Sequence, residues 1–249
     1  MPPRVGKLRV DELLVQRGLA PSRARAQALV LAGQVVVGEN RVDKPGSRVP
    51  EDSPVRVKGR DHPYVSRGGL KLAAGLDAFG LDPAGLLGLD VGASTGGFTD
   101  CLLKRGAARV FALDVGRGQL HPSLRADPRV CLLERFNVRG LRPEHLPGPA
   151  DLAVLDLSFI SLRLALPPVR ACLRPGAWLV LLVKPQFEVG RDRVGKGGIV
   201  RDEAARREAL EGVAAFARGL GLAELGRVPS PITGADGNVE YLLGLGVPG

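Results

Sequence analysis

Four ionisable residues stand out by type and position: Lys71, Asp156, Lys184 and Glu240. Lys184 closes the apolar run ending in Leu181-Leu182-Val183, and Asp156 closes the run ending in Val154-Leu155. A charged group at the end of an apolar strand is costly unless it is paired. Lys184 therefore calls for a carboxylate, and Asp156 is the nearest obvious one if both strands end at one cleft. Glu240 lies in Gly237-Asn238-Val239-Glu240-Tyr241, at the entrance to a last strand. If that strand runs antiparallel, its entrance lies at the same edge. Lys71 lies in Tyr64-Val65-Ser66-Arg67-Gly68-Gly69-Leu70-Lys71-Leu72, just ahead of the first strand. Any one of these residues alone reads as a surface ion-pair member. Together they suit removal of a proton from a hydroxyl nucleophile. An amine can do that work where burial and neighbouring charge favour its neutral form. Lys71 would push Lys184 that way, and Asp156 and Glu240 the other; the sequence leaves the balance open.

A second constellation precedes these groups. Leu89-Asp90-Val91-Gly92-Ala93-Ser94-Thr95-Gly96-Gly97-Phe98 sits where a strand turns into a helix. Open α/β sheets bind ligands at the carboxyl ends of their strands. Glycines there let a ligand approach the backbone, and the helix start offers free N–H donors. The turn has no Gly-Lys-Ser/Thr, so it is not a phosphate loop, and Gly92, Gly96 and Gly97 do not have dinucleotide spacing. Asp90 disfavours a pyrophosphate by like-charge repulsion. It suits a ligand with positive charge, such as the amino-acid part of S-adenosylmethionine. Asp114, at the end of the next strand, is placed for ribose hydroxyls. The expected cofactor contacts are Asp90, Gly92, Ala93, Ser94, Gly96, Gly97, Phe98 and Asp114.

The elements that must hold these groups follow from periodicity. Strands are expected at 86–91, 109–115, 130–134, 152–157, 178–183, 225–228 and 239–245, with helices at 69–79, from the glycine turn to 104, at 161–173 and at 204–220. Residues 186–200 read as a long Gly-rich loop. Strands alternating with helices imply a mostly parallel α/β sheet covered on both faces. Ahead of it, helices are expected at 8–17 and from Ser22 to Gly33, strands at 34–37 and 55–57, and a loop around Pro45, Gly46 and Pro50. The expected organisation is a small α+β domain at 1–58, a linker at 59–68 and a larger domain at 69–249.

Composition excludes several classes. The chain has 249 residues, 45% hydrophobic, which is too apolar for disorder. The longest clean apolar run, Ala177 to Val183, is far short of the ~20 residues that span a membrane. No leader-like apolar segment follows Met1-Pro2-Pro3-Arg4, so a cytoplasmic protein is expected. Three separated cysteines and three scattered histidines argue against a disulfide framework or a metal site. The net charge is +9, with +6 in residues 1–60 and +3 in the rest. A basic unit ahead of a nearly neutral one suggests a polyanion-binding module.

The motifs also carry a resemblance. Residues 8–57 resemble the S4 RNA-binding domain through Arg9-Val10-Asp11, Arg17-Gly18-Leu19, Ser22-Arg23 and Gly33-Gln34-Val35. The remainder resembles the FtsJ-like methyltransferases. The combination, with Tyr64 to Leu72, Gly92 to Phe98, Asp156-Leu157-Ser158-Phe159-Ile160-Ser161 and Val183-Lys184-Pro185-Gln186-Phe187-Glu188, is similar to the TlyA family, which also carries the older name hemolysin. The resemblance implies a Rossmann-like class I methyltransferase with a mostly parallel seven-stranded sheet, preceded by an S4 domain. It implies S-adenosylmethionine-dependent 2′-O-methylation of cytidine in ribosomal RNA, within subunits or ribosomes, with no metal, membrane or obligate protein partner. The family's Lys-Asp-Lys-Glu tetrad falls on Lys71, Asp156, Lys184 and Glu240. Lys184 would be the base, Asp156 would orient it, and Lys71 and Glu240 would position the ribose. Asn137 falls where the family contacts the adenine end. Arg23 and Arg25, supported by Lys7, Arg9, Arg17 and Arg67, are the expected RNA binders.

The chain ends at Gly249, whereas longer family members continue with a tail. The shorter form is associated with the large subunit, so 23S rRNA is the favoured target and 16S rRNA the other. Two competing readings are a membrane-lysing protein, which would need a spanning or strongly amphipathic basic helix, and a non-catalytic rRNA-binding factor. An S4-type pseudouridine synthase has the wrong sheet pattern.

Overall fold

The computed structural model describes residues 6–20, 22–57, 62–234 and 237–249. The chain divides into two units, Met1–Pro63 and Tyr64–Gly249. Part of the expected linker, 59–61, lies outside the described residues, as does the expected end of the first domain at residue 58.

The first unit opens with β1 (Lys7–Arg9), α1 (Val10–Gln16) and α2 (Arg23–Leu31), followed by β2 (Val35–Val37), β3 (Asn40–Val42), β4 (Arg48–Pro50) and β5 (Val55–Val57). β2 lies between β3 and β5, antiparallel to both, and β1 pairs with β4. The Ser22 hydroxyl caps α2 by accepting from Arg25 N, and Gly33, at φ +64°, turns the chain out of it. The first helix begins at Val10 rather than Leu8. Leu8 and Arg9 are held in β1 by a partner strand, Arg48–Pro50, that Pro45, Gly46 and Pro50 disguise as loop. Pro50 is tolerated because the strand is an edge strand. Val10, Leu14, Ala26, Leu29, Val30 and Val35 form the unit's small core.

In the second unit, α3 (Gly68–Phe79) precedes β6 (Leu87–Val91), α4 (Gly97–Lys104), β7 (Arg109–Leu113), α5 (Pro122–Arg125) and β8 (Val130–Leu133). Then follow β9 (Ala150–Leu155), α6 (Leu162–Ala171), β10 (Leu173–Val183), α7 (Glu203–Gly219), β11 (Ala223–Pro229) and β12 (Tyr241–Gly246). The seven strands lie in the order β11-β12-β10-β9-β6-β7-β8. β10, β9, β6, β7 and β8 are parallel, and β12 runs antiparallel to both its neighbours. Alternate strand residues feed two cores. Leu89, Leu113, Leu155 and Leu181 pack with α6 and α7, whereas Val110, Leu152, Val154 and Val180 pack with α3 and α4.

The chain winds outward from β6 through β7 to β8, then returns to place β9 on the other side of β6. A crevice opens where the winding reverses, beyond the carboxyl ends of β6 and β9. β7 and β9 each end two residues earlier than expected. Asp114 and Asp156 consequently stand just past their strands, free to turn into that crevice. Residues 186–200 form an irregular loop with short 3₁₀ turns at Arg191–Arg193 and Lys196–Gly198, after one at Pro185–Phe187.

Candidate active site

Lys184 follows β10, and Glu240 precedes β12. Val183 pairs with Tyr241, so the antiparallel strand delivers Glu240 beside the end of β10. Asp156 follows β9, the other neighbour of β10, and Lys71 lies in the first turn of α3. All four line one cleft of about 270 Å³, with Arg67, Gly92, Ser94 and Phe98. They form two ion pairs. Lys71 Nζ donates to Glu240 Oε2 at 2.5 Å, both side chains nearly buried. Lys184 Nζ lies 2.6 Å from Asp156 Oδ1 and donates to Ser158 Oγ at 3.1 Å. Each lysine therefore meets the pairing that its burial demands.

A larger cleft of about 680 Å³ adjoins this one and shares Gly92, Ser94 and Asp156 with it. Asp114 forms part of its wall. One Asp114 oxygen accepts from Ser94 N at 2.8 Å and the other from Gly116 N at 2.7 Å. Asn137 also faces this cleft, its Oδ1 accepting from Arg139 N. The apolar side is unusually open: Val115, Leu164 and Phe159 are 69%, 54% and 92% exposed. Phe159 holds φ +66°, strained for a bulky residue, with its ring 5.4 Å from that of Phe187.

Not every expected site residue faces a cleft. Asp90 is fully buried behind the glycine loop and lines neither. Its Oδ2 accepts from Thr99 Oγ1 at 2.6 Å, and its Oδ1 has no hydrogen-bond partner among the described residues. Burial pushes this carboxyl up to about 7. The glycines serve the protein's own packing as much as any ligand. A Cβ at Gly92 would lie 2.5 Å from Asp156 O, at Gly96 2.3 Å from Leu124, and at Gly97 2.2 Å from Ser66 Oγ. Gly92, at φ +86°, is where the two site loops touch. Ala93, Ser94, Gly97 and Phe98 line the smaller cleft, while Gly96 faces neither.

The expected RNA binders separate into two groups. Arg9 forks onto buried Asp11 with two bonds of 2.9 Å, and Arg23 and Gln27 complete that carboxylate's shell. The Arg9 guanidinium above all, with Gln27 and Arg23, holds Asp11 far below the usual carboxylate range. Arg17 donates to Ser53 O at 2.7 Å and to Glu51 O. These three arginines brace the fold. Lys7, Arg25 and Arg67 are exposed, and Arg67 borders the smaller cleft. Sequence reasoning did not single out Ser158, Phe159 or Glu188. Their signal was the polar and aromatic run after each strand end.

Among the described residues, no His/Cys/Asp/Glu group could hold a metal, and no helix is long and apolar enough to cross a membrane. A mostly parallel sheet with a glycine loop after β6, an acid after β7, and paired lysines and carboxylates at its reversal point defines a Rossmann-like methyltransferase. The FtsJ-like methyltransferase family matches residues 64–247, and the S4 domain matches residues 8–55. The chain belongs to the FtsJ-like methyltransferase family, with an S4 domain ahead of the catalytic one. It is 50% identical to the 16S/23S rRNA (cytidine-2′-O)-methyltransferase TlyA of Mycobacterium tuberculosis, over 96% of this chain and 90% of that one. It is 41% identical to Hemolysin A of Brachyspira hyodysenteriae, over 94% and 98%. A solved methyltransferase from Mesorhizobium loti shares the fold, with TM-score 0.53 and 17% identity over 71% of this chain and 97% of that one.

Proposed function

We propose that this enzyme transfers a methyl group from S-adenosylmethionine to the 2′-hydroxyl of a cytidine in ribosomal RNA, and that its S4 unit holds the RNA. One observation carries the reading. The two lysine–carboxylate pairs converge on a small cleft that shares a wall with a larger, half-apolar one. The larger cleft fits the cofactor. The Asp114 carboxylate suits ribose hydroxyls, Val115, Val138 and Leu164 suit a planar base, and Gly92 keeps the shared wall low. When bound, S-adenosylmethionine supplies an electrophilic methyl on a sulfonium.

The residues of the smaller cleft handle the proton. Lys184 Nζ, after giving its own proton to solvent, takes that of the 2′-hydroxyl as the neutral amine, and Asp156, 2.6 Å away, stabilises the ammonium that results. Ser158 fixes the direction of the amine. Lys71 and Glu240, bound to each other, form the opposite wall against the ribose. Phe159 and Arg67 stand at the rims for a base and a phosphate.

The test is transfer of labelled methyl from S-adenosylmethionine to 30S and 50S particles lacking the modification, with mapping of the labelled 2′-oxygen. Label on a cytidine in either particle supports the proposal. Lys184→Ala is expected to lower turnover by about 10²–10⁴ with cofactor affinity retained. Cofactor binding without label in any particle would instead identify a non-catalytic rRNA-binding factor.

A further inference from the structure

Two segments bring the reacting groups to the cleft: Asp156–Ser161 leaves β9, and Lys184–Glu188 leaves β10. Three contacts of different chemistry join them in order. Lys184 meets Asp156 and Ser158 at 2.6 and 3.1 Å. The rings of Phe159 and Phe187 lie 5.4 Å apart. Glu188 closes the far end, its Oε2 accepting from Ser161 Oγ at 2.6 Å and its Oε1 from Leu162 N at 2.8 Å.

Glu188 shares the capping of α6 with Ser161: it takes the first amide, Leu162 N, while Ser161 accepts from Arg163 N. Its bond to the Ser161 hydroxyl goes beyond that capping role. Burial pushes the Glu188 carboxyl up, while its bonds from Ser161 and Leu162 pull it down. An acid kept there against its desolvation holds something in place. Glu188 lines neither cleft, so it does not touch the reacting atoms. Between the Ser158 and Ser161 contacts sits Phe159, whose left-handed backbone persists only where its surroundings over-determine it.

We propose that Glu188 is a positioning residue. It locks the Asp156–Ser161 loop to the Lys184–Phe187 turn and so holds Lys184 against Asp156 and Ser158. The proposal rests on Lys184 being the base.

Steady-state kinetics on rRNA at saturating cofactor test it. Glu188→Ala is expected to lower kcat by about 10–100-fold, the effect of slight misplacement of a reacting group, and to leave the KM for RNA within about twofold. Glu188→Gln keeps an acceptor for Leu162 N and a partner for Ser161, and should recover kcat to within about threefold. A Glu188→Ala kcat within about threefold of wild type, or a Gln variant as slow as the Ala variant, would overturn the proposal. Should the Ala variant not fold, Ser161→Ala removes one arm of the lock; unchanged kcat there would count against the lock. Amide exchange of residues 157–162 reads it without substrate, and should accelerate in Glu188→Ala but not in Glu188→Gln. Full turnover of Lys184→Ala would sink the base assignment instead, with the exchange result unaffected.

Discussion

At the scale of single residues, burial decides what each ionisable group can do. Asp90 shows the consequence most directly. Its carboxyl is raised from 3.8 to about 7 by burial, with Asp156 and Asp114 adding to the rise. The folded chain then holds a proton that the unfolded chain has released. Stability contributed by this group is present at low pH and lost as pH rises through about 7. Asp90→Asn, which keeps an acceptor for Thr99, should flatten that slope and melt higher than wild type above pH 7. Thermal melts from pH 4 to pH 9 check this; parallel curves for the two proteins would refute it. Phe159 carries a different trade. Phe159→Gly relieves a left-handed backbone and removes an exposed ring, so Tm should hold or rise by the equivalent of about 1 kcal/mol. A raised KM for RNA should accompany it, if the ring serves the substrate.

At the scale of elements, the site is a set of strand ends, and close approach between its loops is as necessary as the side chains. Gly92 is where the backbones of two site loops meet, with φ +86° and its Cβ position 2.5 Å from Asp156 O. Gly92→Ala must move one loop or the other, at a cost of roughly 1–3 kcal/mol. Calorimetry should show weakened cofactor binding together with a lower Tm. Strand–helix alternation, the glycine turn and the places of Asp156, Lys184 and Glu240 near strand ends were legible in the sequence because they depend on local periodicity. β4 was not. Its pairing with β1 is a long-range contact that overrides the turn signals of Pro45, Gly46 and Pro50.

At the scale of the whole molecule, charge excess and free charge are different quantities. Residues 1–60 carry a net +6, but Arg9, Arg17 and Arg23 are spent on Asp11 and on backbone carbonyls. Lys7 and Arg25 are exposed and take no part in that bracing. Lys7→Ala or Arg25→Ala should leave Tm unchanged and reduce the slope of log affinity against log salt by about 0.7–0.9. Arg9→Ala should do the reverse, lowering Tm because a buried carboxylate loses its fork.

The amino-acid order by itself determined the α/β alternation, the small basic unit ahead of it, and which residue types stand at the strand ends. These follow from periodicity, composition and spacing, which are local. The partnership of Lys184 with Asp156 was already expected; only the tertiary structure decided that Lys71 pairs with Glu240, that Asp90 lies behind the loop rather than in the cleft, and that Glu188 joins two loops. Those outcomes turn on which strand lies beside which. Strand order is set by burying both faces of one sheet at once, a condition on the whole chain that no single segment expresses.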